Sequence, residues 1–309
     1  MASILTNVSA MTALQSLQAT NKSLEETQAR ISTGYRVAGA SDNAAYWSIA
    51  TTMRSDNKAL LTVQDALGLG ASKIDIAYTA TNSAIEVVDE IKSKLVAARE
   101  PGVDRTKVQA EIGQLQQQLV GIASSASFSG ENWLSVDSSD PDYNSTKNIV
   151  ASFARASDGS VSISTITIDV NSAKLYDANG QTGLLDTETT TTNGGVTYAV
   201  TTLDISTLGN SDNDLADLDE MISWVDSALQ DMTKSASDLG AAKSRISLQM
   251  NFVDNLMDAI SRGVGTLVDA DMNEESTRLQ ALQVQQQLGI QGLSIANSSV
   301  QGILSLFKG

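Results

Sequence analysis

Apolar residues recur along the second half of the chain in alternating steps of three and four. The frame visits Leu215, Leu218, Ile222, Val225, Leu229, Met232, Ala236, Leu239, Lys243, Ile246, Met250, Val253, Met257, Ile260, Val264 and Leu267, and of these only Lys243 is polar. A period of 3.5 sustained this long predicts one helix with a coiled-coil seam. At 1.5 Å per residue such a helix would extend roughly 80 Å, far beyond an ordinary globular helix.

The first half carries the matching stripe. Ile49, Met53, Leu60, Val63, Leu67, Ile74, Ala77, Ala84, Val88, Ile91, Leu95 and Ala98 share one frame, broken by Asp56, Gly70 and Thr81, until Pro101-Gly102 stops the helix. Val108, Ile112, Leu115, Leu119, Ile122 and Ala126 then mark a third helix. Three such stripes predict a helical bundle.

Toward both ends the stripes thin. Leu14, Leu17, Leu24 and Ile31 recur with Asn21 and Gln28 between them; Leu279, Leu282, Leu293, Ala296, Val300, Ile303 and Phe307 recur with Gln286 and Gly289 between them. Asn and Gln in a seam lower stability while specifying register. Helices this weakly apolar are marginal alone and are expected to order on assembly, so these apolar positions are the candidate polymerisation interface.

The middle of the chain has no helical period. Residues 148–154 and 160–170 flank Ser157-Asp158-Gly159, a hairpin signal. Residues 187–192 followed by Asn193-Gly194-Gly195 read as an exposed loop or a second hairpin turn. This segment is expected to bury little core. The fold class is therefore mainly α: a long antiparallel coiled-coil or helical-bundle rod from paired N- and C-terminal segments, with a small middle segment containing a β-hairpin.

Charge sharpens this division. The chain of 309 residues carries 36 acids and 20 bases, a net −16. Residues 136–214 hold 11 acids against 3 bases, half of that net charge on about a quarter of the length. A chain this acidic lacks the basic face that phosphates require, which argues against nucleic acid and anionic membrane surfaces as partners. Assembly must overcome self-repulsion, which salt screens.

Catalytic chemistry is poorly provided for. There is no cysteine and no histidine, which removes disulfides, thiolate nucleophiles and the commonest acid–base group and metal ligand. Asp212, Asp214, Asp217, Asp219 and Glu220 fail the spacing of a calcium loop and read as acids at the positive end of a helix. Gly68-Leu69-Gly70 lacks the third glycine and the preceding strand of a dinucleotide fingerprint. Asn144-Ser145-Thr146 matches a glycosylation acceptor, and residues 189–192 could take O-linked sugar. No catalytic residue, metal or cofactor is assigned. No run of about 18 apolar residues predicts a membrane span, and the opening MASILTNVSAM has no basic n-region of a cleavable signal.

Residues 30–50, RISTGYRVAGASDNAAYWSIA, and 279–307, LQALQVQQQLGIQGLSIANSSVQGILSLF, with the opening NVSAMTAL and ASFSGENWL at 126–134, resemble bacterial flagellin of the compact, rhizobial type. The resemblance covers about 1–135 and 215–309. It implies a non-enzymatic structural subunit that polymerises into a helical flagellar filament, with sister flagellins as co-assembling partners. It also implies hook–filament junction and cap proteins, an export chaperone and the type III export apparatus as partners, and an extracellular location. In domain terms it implies 1–35 with 275–309 as an inner terminal-helix domain, 36–175 with 215–274 as a helical rod with the hairpin, and 176–214 as a short outward-facing insert. Arg30, Ser41, Asp42, Asn43, Tyr46 and Trp47 fall in the stretch equivalent to that perceived by plant immune receptors. Ser41-Asp42-Asn43-Ala44-Ala45-Tyr46-Trp47 stands here where perceived members carry Lys-Asp-Asp-Ala-Ala-Gly-Leu. Residues 91–100, IKSKLVAARE, and Pro101-Gly102 differ from the helix that the animal receptor recognises. The alternatives are a hook-associated junction protein, which shares coiled-coil ends, and an enzyme or adhesin with a site in 136–214.

Overall fold

Proline is absent from every long stripe, and the helices run accordingly far. In the computed structural model, which describes residues 7–306 and their side chains through 298, these are α1 (Val8–Thr33), α2 (Ala44–Ala98), α3 (Arg105–Ser125), α4 (Asp212–Val268) and α5 (Met272–Leu306). The fold is mainly α, with small strand pairs in the middle segment. The chain forms two compact units, Met1–Lys58 with Met257–Gly309 and Ala59–Leu256.

In the larger unit the two stripes become the core. Leu60, Val63, Leu67, Ile74, Ala77, Ala84, Val88, Ile91, Leu95 and Ala98 of α2 are buried, as are Leu218, Val225, Met232, Ala236, Leu239, Ile246 and Val253 of α4. Polar pairs along the rim fix an antiparallel register. Gln64 bonds Asp254, Asp75 pairs with Lys243, Lys92 with Asp226 at 2.5 Å and Arg99 with Asp219 at 2.5 Å, so the numbers rise on one helix as they fall, by equal steps, on the other. Both interruptions of the α2 stripe within this unit have a local cause. Thr81 is buried and donates its hydroxyl to Ala77 O at 2.8 Å, and Gly70 leaves room for Ile149, whose Cγ2 would lie 2.5 Å from a Cβ at 70.

Pro101-Gly102 ends α2, with Gly102 at φ +92°, and Asp104 caps α3 by accepting from Lys107 N. The expected hairpin follows as β4 and β5. In chain order the strands are β1 (Ser127–Phe128), β2 (Glu131–Asn132), β3 (Ser135–Val136), β4 (Thr146–Arg155), β5 (Val161–Asp169), β6 (Tyr176–Asp177), β7 (Thr189–Thr190) and β8 (Thr197–Tyr198). β1–β2, β4–β5 and β7–β8 pair antiparallel and β3–β6 parallel. A bulge between Val150 and Ser152 bends the long hairpin, and Gln249 of α4 donates to Ala151 O at 2.9 Å. Residues 191–196 join β7 to β8, with the turn at 192–194.

Two expectations are corrected. The middle segment does bury core: Leu175, Leu185, Tyr198, Val200, Leu203 and Ile205 are buried. Gln109 and Gln116 of α3 hold it in place, bonding Leu203 O, Ile205 N and Val200 O at 2.9–3.0 Å. A buried ion pair braces it further, Lys174 Nζ to Asp177 Oδ2 at 2.9 Å. Burial would raise the Asp177 pKa, but bonds from Ser138, Thr182 and Lys174 outweigh it and hold the carboxyl well below the usual range. Ile49, assigned to the α2 stripe, is 50% exposed, and its neighbour Ala50 is buried instead. The smaller unit packs Val37, Ala50, Val264 and Val268 with Met53, Ile260 and Leu267.

Candidate assembly surface

The smaller unit pairs α1 with α5. Asn7 caps α1 by accepting from Ala10 N, and Asp271 caps α5 by accepting from Asn273 N at 2.9 Å and Glu274 N at 3.3 Å. Glu274 and Glu275 then sit in the first turn of α5, where the helix dipole favours acids. Leu17, Leu24 and Ile31 on α1 and Leu279, Leu282 and Leu293 on α5 are all half-buried, along the seam between the two helices. Three polar bonds set the register: Asn7 Nδ2 to Ala296 O at 3.0 Å, Gln286 Nε2 to Asn21 Oδ1 at 2.8 Å and Arg30 Nη1 to Glu275 Oε1 at 3.1 Å. Gly289 gives Leu17 its place, since a Cβ there would lie 3.2 Å from Leu17 Cδ1.

The candidate interface residues therefore divide. Leu17, Leu24, Ile31, Leu279, Leu282 and Leu293 serve at least partly the pairing within the chain. Leu14 is 45% exposed and stands apart from them. The side chains of Val300 and Ile303, and Phe307 itself, lie outside the described residues.

A second apolar set was missed. Val8 and Met11 on α1, and Val284, Leu288, Ile290 and Ile295 on α5, are more than half exposed. Val284, Leu288 and Ile295 follow helical spacing and lie off the seam. Apolar residues on two faces of one otherwise polar helix are the signal that could have found them: one face has its partner within the chain, and the other is left open.

Where α1 gives way to α2, residues 34–43 form a clasp. Gly34, at φ +73°, ends α1 with its N–H on Arg30 O. Arg36 N and Val37 N both donate to Val268 O, at 2.7 and 3.2 Å, and Ala270 N returns to Gly34 O at 2.9 Å. The Arg36 guanidinium donates to Leu267 O at 3.1 Å, at the negative end of α4. Asp42 Oδ2 accepts from Ala38 N and Gly39 N, and Asn43 caps α2 through Tyr46 N at 3.1 Å. Arg54 lies 4.9 Å over the Tyr35 ring. An open cleft of about 520 Å³ brings Arg30, Ser41, Asp42, Asn43 and Tyr46 together with Tyr35 and Arg36. Trp47 is outside that lining; Tyr46 and Trp47 are 42% and 39% exposed and do not fill the core.

Four of the acids at the start of α4 are engaged by N–H, O–H and guanidinium groups. Asp217, buried, accepts from Asn193 N at 3.1 Å and Gly194 N at 2.7 Å; Glu220 accepts from Thr192 N at 2.9 Å. Asp214 accepts from Ser211 Oγ at 2.7 Å, a bond that with those from Gly209 lowers its pKa. Asp219 accepts from Nε and Nη2 of Arg99. Among the described residues no group of three or more acids could hold a metal ion, and no helix is long and apolar enough to cross a membrane.

Residues 4–138 match the family model of the bacterial flagellin N-terminal helical region, and residues 222–307 that of the bacterial flagellin C-terminal helical region. The chain is 53% identical to Flagellin C of Rhizobium meliloti strain 1021, over all of both chains. It is 48% identical to a flagellin of Brucella melitensis and 46% to Flagellin A of Rhizobium meliloti, again over the whole of each.

Proposed function

The chain belongs to the bacterial flagellin family, and on that premise we propose that its subunits meet through the apolar faces that α1 and α5 leave outside their own seam. The family is structural and not enzymatic: the chain is a subunit of the extracellular flagellar filament and polymerises with other flagellin subunits.

One observation carries the proposal. Met11 and Leu14 on α1 and Val284, Leu288 and Ile295 on α5 are exposed while the seam residues beside them are half-buried. Burying one such side chain contributes about 1.5–3 kcal/mol, so a polymer that covers several gains enough to order a weak helix pair. Contact between two different surfaces of successive copies need not close on itself, and it produces a helical fibre. On this reading residues 1–35 with 275–309 lie inward and residues 176–214 face outward.

A chain without cysteine and with two prolines suits passage, unfolded and with a chaperone, through the type III export apparatus; hook–junction and cap proteins would bound the filament. Deleting residues 1–30 or 280–309 tests the assembly reading. Either truncation is expected to yield a soluble, helical protein by circular dichroism that forms no filaments by electron microscopy. Normal filaments from either truncation would refute it.

A further inference from the structure

Asparagine is followed by glycine at two places, Asn179-Gly180 and Asn193-Gly194. In a free peptide this pair modifies itself. The glycine nitrogen, once it has lost its proton, attacks Cγ of the asparagine side chain; a C–N bond forms, and the amide leaves as ammonia with a proton from water. Water then opens the succinimide ring at either carbonyl, giving aspartate or, where the backbone now runs through the side chain, isoaspartate. Glycine permits the ring because it has no Cβ to obstruct closure. Both asparagines are exposed and lie in turns, where the chain itself hinders this chemistry least.

Carboxylates beside each turn hold the reacting atoms. Asp217 Oδ2 accepts from Gly194 N at 2.7 Å, and its Oδ1 accepts from Asn193 N at 3.1 Å and from Asn193 Nδ2 at 3.2 Å. At the other turn Asn179 Nδ2 donates to Asp137 Oδ2 at 2.7 Å, and Gly180 N donates to Asp177 Oδ1 at 3.4 Å. The glycines that make these pairs labile also let the carboxylates approach: a Cβ would lie 2.6 Å from Asp177 Oδ2 at 180 and 2.6 Å from Asp217 Oδ2 at 194. Removing a proton from a peptide nitrogen in contact with a carboxylate sets two negative charges together. Asp177 and Asp217 are both 1% exposed, so little water screens that repulsion. A side-chain amide held by a second bond cannot swing its Cγ onto the nitrogen.

We propose that Asp217, and Asp137 with Asp177, keep two latent deamidation sites closed, with the tighter lock at Asn193. The lock protects the fold that contains it. Deamidation would set a new carboxylate against Asp137 at one turn and against the buried Asp217 at the other.

The experiment incubates the full chain in mildly alkaline buffer, folded and in guanidinium chloride, and follows the mass gain of each Asn-Gly peptide by mass spectrometry. Modification is expected to run at least about tenfold slower at both turns in the folded protein than in the unfolded chain, and slowest at Asn193. Asp217→Asn, which keeps the shape and removes the charge, is expected to speed Asn193 and to leave Asn179 as it was. Asp137→Ala does the reverse. Each turn thus serves as the control for general loosening in the other's variant. Equal rates in the folded and unfolded chain at either turn overturn the proposal, as does a variant that fails to speed its own turn or speeds both alike.

Discussion

Gln286 donates its side-chain amide to Asn21 Oδ1 at 2.8 Å, across the seam between the two terminal helices. Both residues sit among leucines, where a leucine would pack better, and the bond they share favours one antiparallel register. Asn21→Leu alone leaves Gln286 without this partner and is expected to destabilise the helix pair by about 1 kcal/mol. Leucine at both positions should recover that loss or exceed it. Hydrogen exchange of the α1 and α5 amides reads the difference; a single variant as well protected as the double would contradict the pairing.

Gly70 and Ile149 couple the hairpin to α2. A methyl at 70 would lie 2.5 and 2.6 Å from two carbons of Ile149, so Gly70→Ala forces the hairpin outward despite the better helix propensity of alanine. Overpacking of this kind costs about 1–3 kcal/mol. Ile149→Ala should relieve it in the double variant. Urea denaturation of both single variants and the double gives the coupling, and strict additivity would show that the two residues do not meet.

Glu131 links folding to pH. Burial pushes its carboxyl up, but the hydrogen bonds and charges of Lys147 and Lys73 outweigh that and hold it down at about 2, from an ordinary 4.5. The folded pKa is the lower one, so the stabilisation is fully present above about 4.5 and is lost as pH falls through about 2. Allowing for solvent screening, it amounts to about 1–2 kcal/mol. Urea melts at pH 6 and pH 3 should show a smaller loss for Glu131→Gln than for the natural protein. Equal losses would mean that Glu131 is not held down.

In the stretch equivalent to the plant-perceived one, Ser41, Asn43 and Tyr46 replace a lysine, an aspartate and a glycine of perceived flagellins. A receptor built to bond those charges would leave its own groups unpaired, at about 1–3 kcal/mol each. A peptide of residues 29–50 is expected to elicit a weak oxidative burst in plant tissue, and the peptide with Ser41→Lys, Asn43→Asp and Tyr46→Gly a strong one. Equal potency would remove these residues as the cause.

The long helices were legible because a seam period over many turns has no other structural meaning, and Pro101-Gly102 marks where it stops. Lys243 shows how such a frame accommodates a cation: it is exposed, pairs with Asp75 and lies 5.8 Å from the Tyr78 ring, at the rim of the seam. Local periodicity could not reveal the core of the middle segment. Leu175, Leu185, Leu203 and Ile205 follow no common period, and their partners are distant, including the Gln109 and Gln116 side chains of α3. The second face of α5 was hidden for a related reason, since following one stripe along a glutamine-rich helix conceals another that is offset from it. The clasp of residues 34–43 carries no periodic signal, and only family resemblance singled it out.

Met11→Ser with Leu288→Ser addresses the exposed faces of α1 and α5 directly, because neither residue belongs to the seam. The measurement is the critical concentration for polymerisation, by sedimentation of filaments seeded from natural protein. It is expected to rise at least about tenfold while the helical content of the monomer stays unchanged. A critical concentration equal to that of the natural chain would contradict the claim that these faces join one subunit to the next.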